Sequence, residues 1–354
     1  MRQVLNIFQF WGAGNIGDDL MLAGFLSALE GFEVVYEGRL SGLSSFDVSS
    51  QQIRFPKIRW IDCNAVPHWD GCIAQAELIV GIGDTPFQLT CGEWFLAHLR
   101  KAFALIRPGA EVIFVNVGAE KEIVLKAGEF AGILRQIRRC STRDVLSHSI
   151  LRGLSEQMST ELSIGGDLAN ISLAELVKST NSDRKFPIGL ILGYDTLSKE
   201  DIAAVRSFLE QTRGPIAFIT GDCRDGAGFE YELFRLWTKN WLSGFRKRLI
   251  LRRPNYRSGS LAELVQPVAE CELLLSSRFH GLLAGAWFGC RVAALARSSK
   301  VVALAEELGI PYLTPPFRAY DIQRLVTDAA CVPRVQLEQQ RRRAFDGVMA
   351  CKCW

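Results

Sequence analysis

The sequence predicts an α/β protein of two doubly wound domains, and three observations carry that prediction. Short apolar runs alternate with amphipathic segments almost from end to end, the pattern of parallel strands joined by helices. A polar stretch, VKSTNSDRKFP at residues 177–187, interrupts the alternation and reads as a linker. The chain has 354 residues, 48% of them hydrophobic, which is the length of about two domains with a full core each. The expected division is residues 1–176, the linker 177–187, residues 188–333, and a C-terminal helix and tail at 334–354. Together these describe two Rossmann-like domains facing each other across a cleft.

In the first half, strands are expected at VLNIFQF, EVVYE, ELIVGIG, EVIFVNVG and near CSTRD. Helices fall between them: Leu22, Phe25, Leu26 and Leu29 share one helical face, and Phe95, Leu99, Phe103 and Ile106 share another. The second half starts over with strands at IGLILGY, IAFITGD, RLILRR, ELLLSS and RVAALA. Its helices are expected at 199–212, 229–244, 260–270, 280–288 and 299–308, with Ser260 and Glu263 forming a capping box for the third. The last helix, around 334–349, has no strand to follow, and its expected course is back to the first domain.

Composition narrows the function classes. The net charge of +3 comes from 41 basic and 38 acidic residues, too even to imply a nucleic-acid partner. One local basic cluster exists, Arg246, Lys247, Arg248, Arg252, Arg253 and Arg257 around the run LIL; it reads as a solvated face, as steering for an anionic ligand, or as a contact to an anionic lipid-linked molecule at the membrane surface. Ten cysteines, from Cys63 to Cys353, lack the paired spacing of a zinc site, and no metal or cofactor is expected. The closing CKCW reads as a frayed tail. No signal-peptide pattern opens the chain, and the longest apolar stretch, GLLAGAWFGCRVAALA, is broken by Gly289 and Arg291 and too short to span a bilayer. The expectation is a cytoplasmic protein, with peripheral contact at the inner face of the membrane as a further expectation.

Two segments concentrate the chemistry. In WGAGNIGDDLML, Gly12, Gly14 and Gly17 match G-x-G-x-x-G after a strand, with Glu37 20 residues beyond Gly17, so a dinucleotide site is one reading. Against it, Asp18 and Asp19 occupy the first helical turn that a pyrophosphate needs. A tight turn capped by the aspartates is the second reading, and a third has the carboxylates accepting hydrogen bonds from sugar hydroxyls or deprotonating one. In LLLSSRFHGLLAGAWFG, a strand ends in Ser276, Ser277, Arg278, Phe279 and His280, at the carboxyl end where open α/β sheets bind ligands. Arg278 offers a planar fork for phosphate or carboxylate, and His280 is a proton donor near neutral pH; a helix cap or a salt bridge is the plain alternative.

Three further groups join them. Arg143 and Asp144 end the last strand of the first half, either reaching the cleft or forming a surface pair. Asp84, Thr85 and Gln88 in GIGDTPFQ are candidate sugar contacts, and Asp167 in GGDLA is a candidate or simply a strand terminator. Lys300 opens a helix, at the end of the helix dipole that disfavours a cation unless an anion is present. His68, His98 and His148 receive no role.

These segments, GAGNIGDD, STRDVLSHSILRGL, SSRFHGLLAGAWFGCRVAAL and SSKVVALAEELGIP, stand in an order that resembles the polysaccharide pyruvyl transferase family over about residues 10–312. The chain has GIGDTP where members of that family often carry three or four consecutive glycines. The resemblance implies a fold like that of GT-B glycosyltransferases, phosphoenolpyruvate as donor, and transfer of pyruvate as a ketal to a sugar of a surface polysaccharide or its lipid-linked precursor. In that arrangement the N-terminal domain holds the acceptor and the C-terminal domain the donor. Arg278, with Ser277 and Lys300 beside it, then takes the phosphate, Arg143 reaches the donor carboxylate, and His280 protonates the enol methylene. Asp18 or Asp19 takes a proton from the acceptor hydroxyl, with Gly14, Asn15 and Asp84 as further substrate contacts. Other readings are a nucleotide-sugar glycosyltransferase of the same fold, a dinucleotide oxidoreductase, and a family member that binds glycans without chemistry.

Overall fold

The computed structural model describes residues 3–7, 14–29, 35–40, 58–62, 69–90, 92–155, 159–180, 183–193, 197–221, 229–239, 245–254 and 260–351, with backbone only for 3–6, 35–40, 58–62 and Trp69. The chain divides into two compact units. The first comprises 1–13, 18–172 and 339–354, and the second 14–17 and 173–338.

In the first unit, strands β1 (Gln3–Asn6), β2 (Val35–Leu40), β3 (Ile58–Asp62), β4 (Leu78–Ile82), β5 (Glu111–Val117), β6 (Arg139–Thr142) and β7 (Glu161–Ile164) form a parallel sheet in the order β3-β2-β1-β4-β5-β6-β7. The strand order reverses between β1 and β4, which makes this a doubly wound sheet with a switch point there. LIVGI of β4 is buried throughout, as a strand covered on both faces must be. Helix Trp94–Leu105 turns Phe95, Leu99 and Phe103 into the core. There Phe87 lies 5.8 Å from Phe114 and 6.0 Å from Phe130, ring centre to ring centre.

The second unit repeats the plan. Strands β8 (Phe186–Ile191), β9 (Ile216–Ile219), β10 (Leu249–Arg252), β11 (Cys271–Ser276), β12 (Arg291–Leu295) and β13 (Tyr312–Leu313) run in the order β10-β9-β8-β11-β12-β13. β14 (Ala330–Cys331) pairs antiparallel with β12. Helix Phe279–Trp287 packs its small side chains closely: a Cβ on Gly285 would stand 2.7 Å from Leu274 Cδ2.

Several elements differ from the sequence expectation. β3 and β7 extend the first sheet beyond the five expected strands, and β13 and β14 extend the second. The segment expected as a linker is helical up to Ser179 and enters β8 at Phe186; the two units divide within helix Ala169–Ser179, between Ser172 and Leu173. Helix Arg334–Ala350 is also divided, and from Gln339 onward it belongs to the first unit. There Asn116 Nδ2 donates to Ala344 O at 2.8 Å, and Ser141 Oγ donates to Asn116 Oδ1 at 2.7 Å. Ser260 stands at the N-cap position, but its side chain makes no capping bond. The capping box forms instead at Ser198 and Asp201, where the shorter Asp replaces the usual Glu. No helix among the described residues is long and apolar enough to cross a membrane.

Candidate functional site

In the second unit, chemistry-bearing side chains gather at the carboxyl ends of β8, β9, β11 and β12. Arg278 ends β11 and heads helix Phe279–Trp287. Its backbone is fixed by Ser276 Oγ, which accepts from Arg278 N at 3.0 Å. Its Nε donates to Glu230 Oε1, and Glu230 is buried. Glu230 Oε2 also accepts from Gly221 N at 2.6 Å, so one carboxylate ties Arg278 to the end of β9. The guanidinium stem lies on that glycine: a Cβ at Gly221 would be 2.9 Å from Arg278 Cδ.

Arg297, which sequence reasoning missed, is seated in the same way one strand further on. Its Nε donates to Ser277 O at 3.1 Å, and a Cβ at Gly193 would lie 2.5 Å from its Cζ. Ser277 is fully buried, and its hydroxyl accepts from Gly193 N at 2.6 Å. In that position it links β8 to the strand end that carries Arg297. Lys300 follows at the second position of helix Ser299–Leu308 and is half-buried.

The glycine loop of the opening motif also belongs to this unit. Gly14 has φ +94°, which only glycine adopts without strain. Asn15 Oδ1 accepts from Gly17 N at 3.2 Å, and Ile16 N donates to Gly221 O at 3.4 Å. His280 lies against Gly17: a Cβ there would stand 2.0 Å from Nδ1 and 2.6 Å from Cε1. The glycines thus have local causes that involve no pyrophosphate. Of the other two residues in that reading, Gly12 falls outside the described residues, as does the side chain of Glu37.

In the first unit a second constellation sits at the ends of β4, β5, β6 and β7. Asp18 and Asp19 lie in the first turn of helix Ile16–Ala28; Asp18 is half-buried and Asp19 is 0% exposed. Gly83 and Asp84 are consecutive left-handed residues at φ +60° and +59°. For Asp84 that conformation costs on the order of 1–2 kcal/mol. It is held by Asp84 Oδ1 accepting from Thr85 N at 2.5 Å and by Gly118 N donating to Asp84 O at 2.7 Å. Thr85 and Gln88 are buried.

The Arg143–Asp144 pair forms, with Nε to Oδ2 at 3.2 Å, but not on the surface: Arg143 is 4% exposed. Asp167 Oδ2 stands 3.9 Å from the same Nε, and a Cβ at Gly118 would be 2.5 Å from Arg143 Nη2. Both aspartates also cap helices. Asp144 Oδ1 accepts from Ser147 N at 2.7 Å, and Asp167 Oδ1 accepts from Ala169 N at 2.9 Å. Two carboxylates therefore lie beside the Arg143 guanidinium.

The basic cluster of the sequence is largely tethered. Arg248 donates to Glu210 O at 3.2 Å and to Thr212 O, Arg252 pairs with Glu270, and Arg253 lies 5.2 Å over the Tyr231 ring. Arg246 and Lys247 are exposed, and Arg257 falls outside the described residues. Among the described residues no group of His, Cys, Asp and Glu side chains is placed to hold a metal ion. Burial pushes the thiols of Cys140, Cys271, Cys290 and Cys351 above their ordinary range.

Two Rossmann-like units, each with polar side chains at the carboxyl ends of parallel strands, define the GT-B class of α/β enzymes. Solved structures share this fold. A Staphylococcus aureus MnaA–UDP co-structure aligns with TM-score 0.63 at 12% identity over 99% of this chain and 94% of that one. Sucrose-phosphate synthase from Thermosynechococcus elongatus aligns with TM-score 0.55 at 14% identity over 99% and 95%. UDP-GlcNAc 2-epimerase from Neisseria meningitidis aligns with TM-score 0.54 at 10% identity over 99% and 97%. No curated protein matches the sequence significantly. The family model for polysaccharide pyruvyl transferase matches residues 15–299, and the chain belongs to that family.

Proposed function

We propose that the protein transfers pyruvate from phosphoenolpyruvate, as a ketal, to a sugar of a surface polysaccharide or its lipid-linked precursor. The observation that carries this reading is the pairing, on one strand end, of an anchored Arg278 with a His280 seated against Gly17. An arginine and an adjacent imidazole suit an anionic donor whose activation is a protonation.

In this reading the donor phosphate lies by Arg278 and Lys300, and His280 delivers its proton to the enol methylene. A sugar hydroxyl forms the new bond to the cationic C2, the C2–O bond to phosphate breaks, and inorganic phosphate leaves. A second hydroxyl of the same sugar then closes the ketal, the two hydroxyl protons passing to a base and to phosphate. Asp18, the more exposed of the two aspartates, is the base; Gly14, Asn15 and Asp84 contact substrate. Arg143 is assigned to the acceptor side with Asp144 and Asp167, because the donor carboxylate gains little from a cation already flanked by two carboxylates. The reaction places the protein in the cytoplasm, where phosphoenolpyruvate is made.

The test is release of inorganic phosphate from phosphoenolpyruvate in the presence of polysaccharide precursors, with mass spectrometry of the product. Ketal-linked pyruvate is expected. Dependence on a sugar nucleotide instead would overturn the reading in favour of a glycosyltransferase.

A further inference from the structure

We infer that Glu230 is a positioning residue for the reaction: it acts through Arg278, setting the direction in which that guanidinium meets the donor phosphate. The inference deepens the donor reading and rests on it. Glu230 stands second in helix Phe229–Lys239 and is 1% exposed. A carboxylate buried this deeply needs hydrogen-bond donors on its oxygens. Oε1 accepts from Arg278 Nε and Oε2 from Gly221 N, and the positive end of its own helix favours the charge there. These two bonds form one frame. Gly221 is the residue on whose backbone the arginine stem lies, with a Cβ there falling 2.9 Å from Cδ and 3.3 Å from Nε. The same carboxylate therefore holds the guanidinium and the peptide beneath it.

A buried ion pair returns little net stability, because desolvation of both charges offsets most of their attraction. What the pair contributes here is aim. Arginine carries its planar group on a long, flexible stem, and the fork meets a phosphate well only when its plane is right. Nε is the guanidinium nitrogen bonded to the stem, so a hydrogen bond from it fixes the plane in which both Nη atoms lie. At the other end of the residue, Arg278 N donates to Ser276 Oγ at 3.0 Å. Arg278 is thus held at its backbone and at its head, and that order is in place before the donor arrives. Charge and aim predict opposite effects of removing Glu230. Loss of a negative group beside an anion site, taken alone, should tighten phosphate and leave the chemistry alone. Loss of aim should slow the chemistry.

The experiment combines calorimetry on the full chain, with phosphoenolpyruvate and inorganic phosphate as probes, and phosphate-release kinetics at saturating donor with polysaccharide precursors. Glu230→Gln keeps the shape but offers one acceptor oxygen in place of two, so it breaks the frame. Turnover is expected to fall by ~100-fold, the cost of misplacing a reacting group by about 1 Å, with both affinities within about threefold of the parent's. Glu230→Asp keeps the charge and withdraws the oxygens by one methylene; its turnover should fall likewise, and it carries the test should Glu230→Gln fail to fold. In an Arg278→Lys background, Glu230→Gln should cost at most about threefold more, because the group that it aims is gone. Parental turnover in the folded Glu230 variants, or an undiminished loss in the Arg278→Lys background, overturns the role of Glu230 and leaves the donor reading intact. A parent protein that releases no phosphate from phosphoenolpyruvate overturns the donor reading itself, and this inference with it.

Discussion

Gly17→Ala separates a role for His280 in chemistry from one in packing. Gly17 lies in the first turn of helix Ile16–Ala28 without a positive φ, so alanine suits its backbone and should favour the helix by up to about 1 kcal/mol. The new methyl would nevertheless stand 2.0 Å from His280 Nδ1, where ordinary contact begins at 3.4 Å. The ring must retreat by about 1.4 Å or change rotamer, and a misplacement of about 1 Å in a catalytic group costs on the order of 10²-fold in rate. The upper limit is full loss of a general acid, ~10²–10⁴-fold, which His280→Gln should show. The expected variant is therefore folded, no more heat-stable than the parent because displacing the ring costs about 1–3 kcal/mol against the helix gain, close to it in phosphoenolpyruvate affinity, and slower by on the order of 10²-fold in phosphate release. Calorimetry, a thermal melt and a coupled phosphate assay measure all of these. Parental turnover in a folded Gly17→Ala protein would refute the reasoning, since it would mean that the seat of His280 does not matter to the reaction.

Four other outcomes are expected. Arg278→Lys keeps the charge but loses the fork and the bond to Glu230, and should weaken phosphoenolpyruvate by ~1–3 kcal/mol in calorimetry; unchanged affinity removes Arg278 from the site. Asp18→Asn should lower ketal formation with donor affinity intact, and Asp19→Asn less so because that carboxylate is fully buried; unchanged turnover in both sinks the acceptor-side assignment. Asn116→Ala removes the bonds to Ser141 and Ala344 and puts alanine at φ +53°, so the urea midpoint should fall by the equivalent of ~1–3 kcal/mol. The four buried thiols have folded pKa values raised above the ordinary 9.0, so their contribution to stability is complete below that pH. It is lost as pH rises through 9.0 towards the folded values, because only the unfolded chain releases those protons, at up to about 1.4 kcal/mol per thiol per pH unit. Urea titrations at rising pH should show that decline, and a flat profile would contradict it.

The doubly wound plan was legible because buried parallel strands such as LIVGI, and the LLL within CELLLS, are apolar runs that sequence shows directly. β7, ELSI, escaped because it is short and partly exposed. The division of units left no compositional signal because helix Ala169–Ser179 runs through it, so the polar stretch marks residues after the division. At the site, Ser277, Arg278 and His280 stood out because they interrupt an apolar run. Glu230 left no signal, since a carboxylate in the first turn of an amphipathic helix looks like dipole compensation until its partner is seen. Arg297 did leave one: like Arg278, it follows directly on an apolar strand, and the glycines that seat the two arginines end the runs LILG and FITG in matching positions.

Those glycines change the meaning of the opening motif. Glycine at the end of a strand is usually read as room for a phosphate to approach the backbone. Here Gly17, Gly118, Gly193 and Gly221 each lie against a nitrogen-bearing side chain of their own unit: His280, Arg143, Arg297 and Arg278. In all four cases a Cβ would come closer than 3.0 Å to that side chain. Only a bare peptide lets an imidazole or guanidinium lie this close to the backbone, and a hydrogen bond from Nε adds a second hold on the plane of each of the three arginines. The loss of rotamer freedom is then borne on folding instead of on ligand binding. Arg143 and Arg278 are seated beside carboxylates, so the direction of each guanidinium is held by the protein. Arg297 is seated on a carbonyl, its Nε donating to Ser277 O. Alanine at Gly221 should therefore disturb the direction of donor binding, seen as a change in turnover more than in affinity. A loss of affinity with turnover unchanged would mean that the seat of Arg278 does not set that direction.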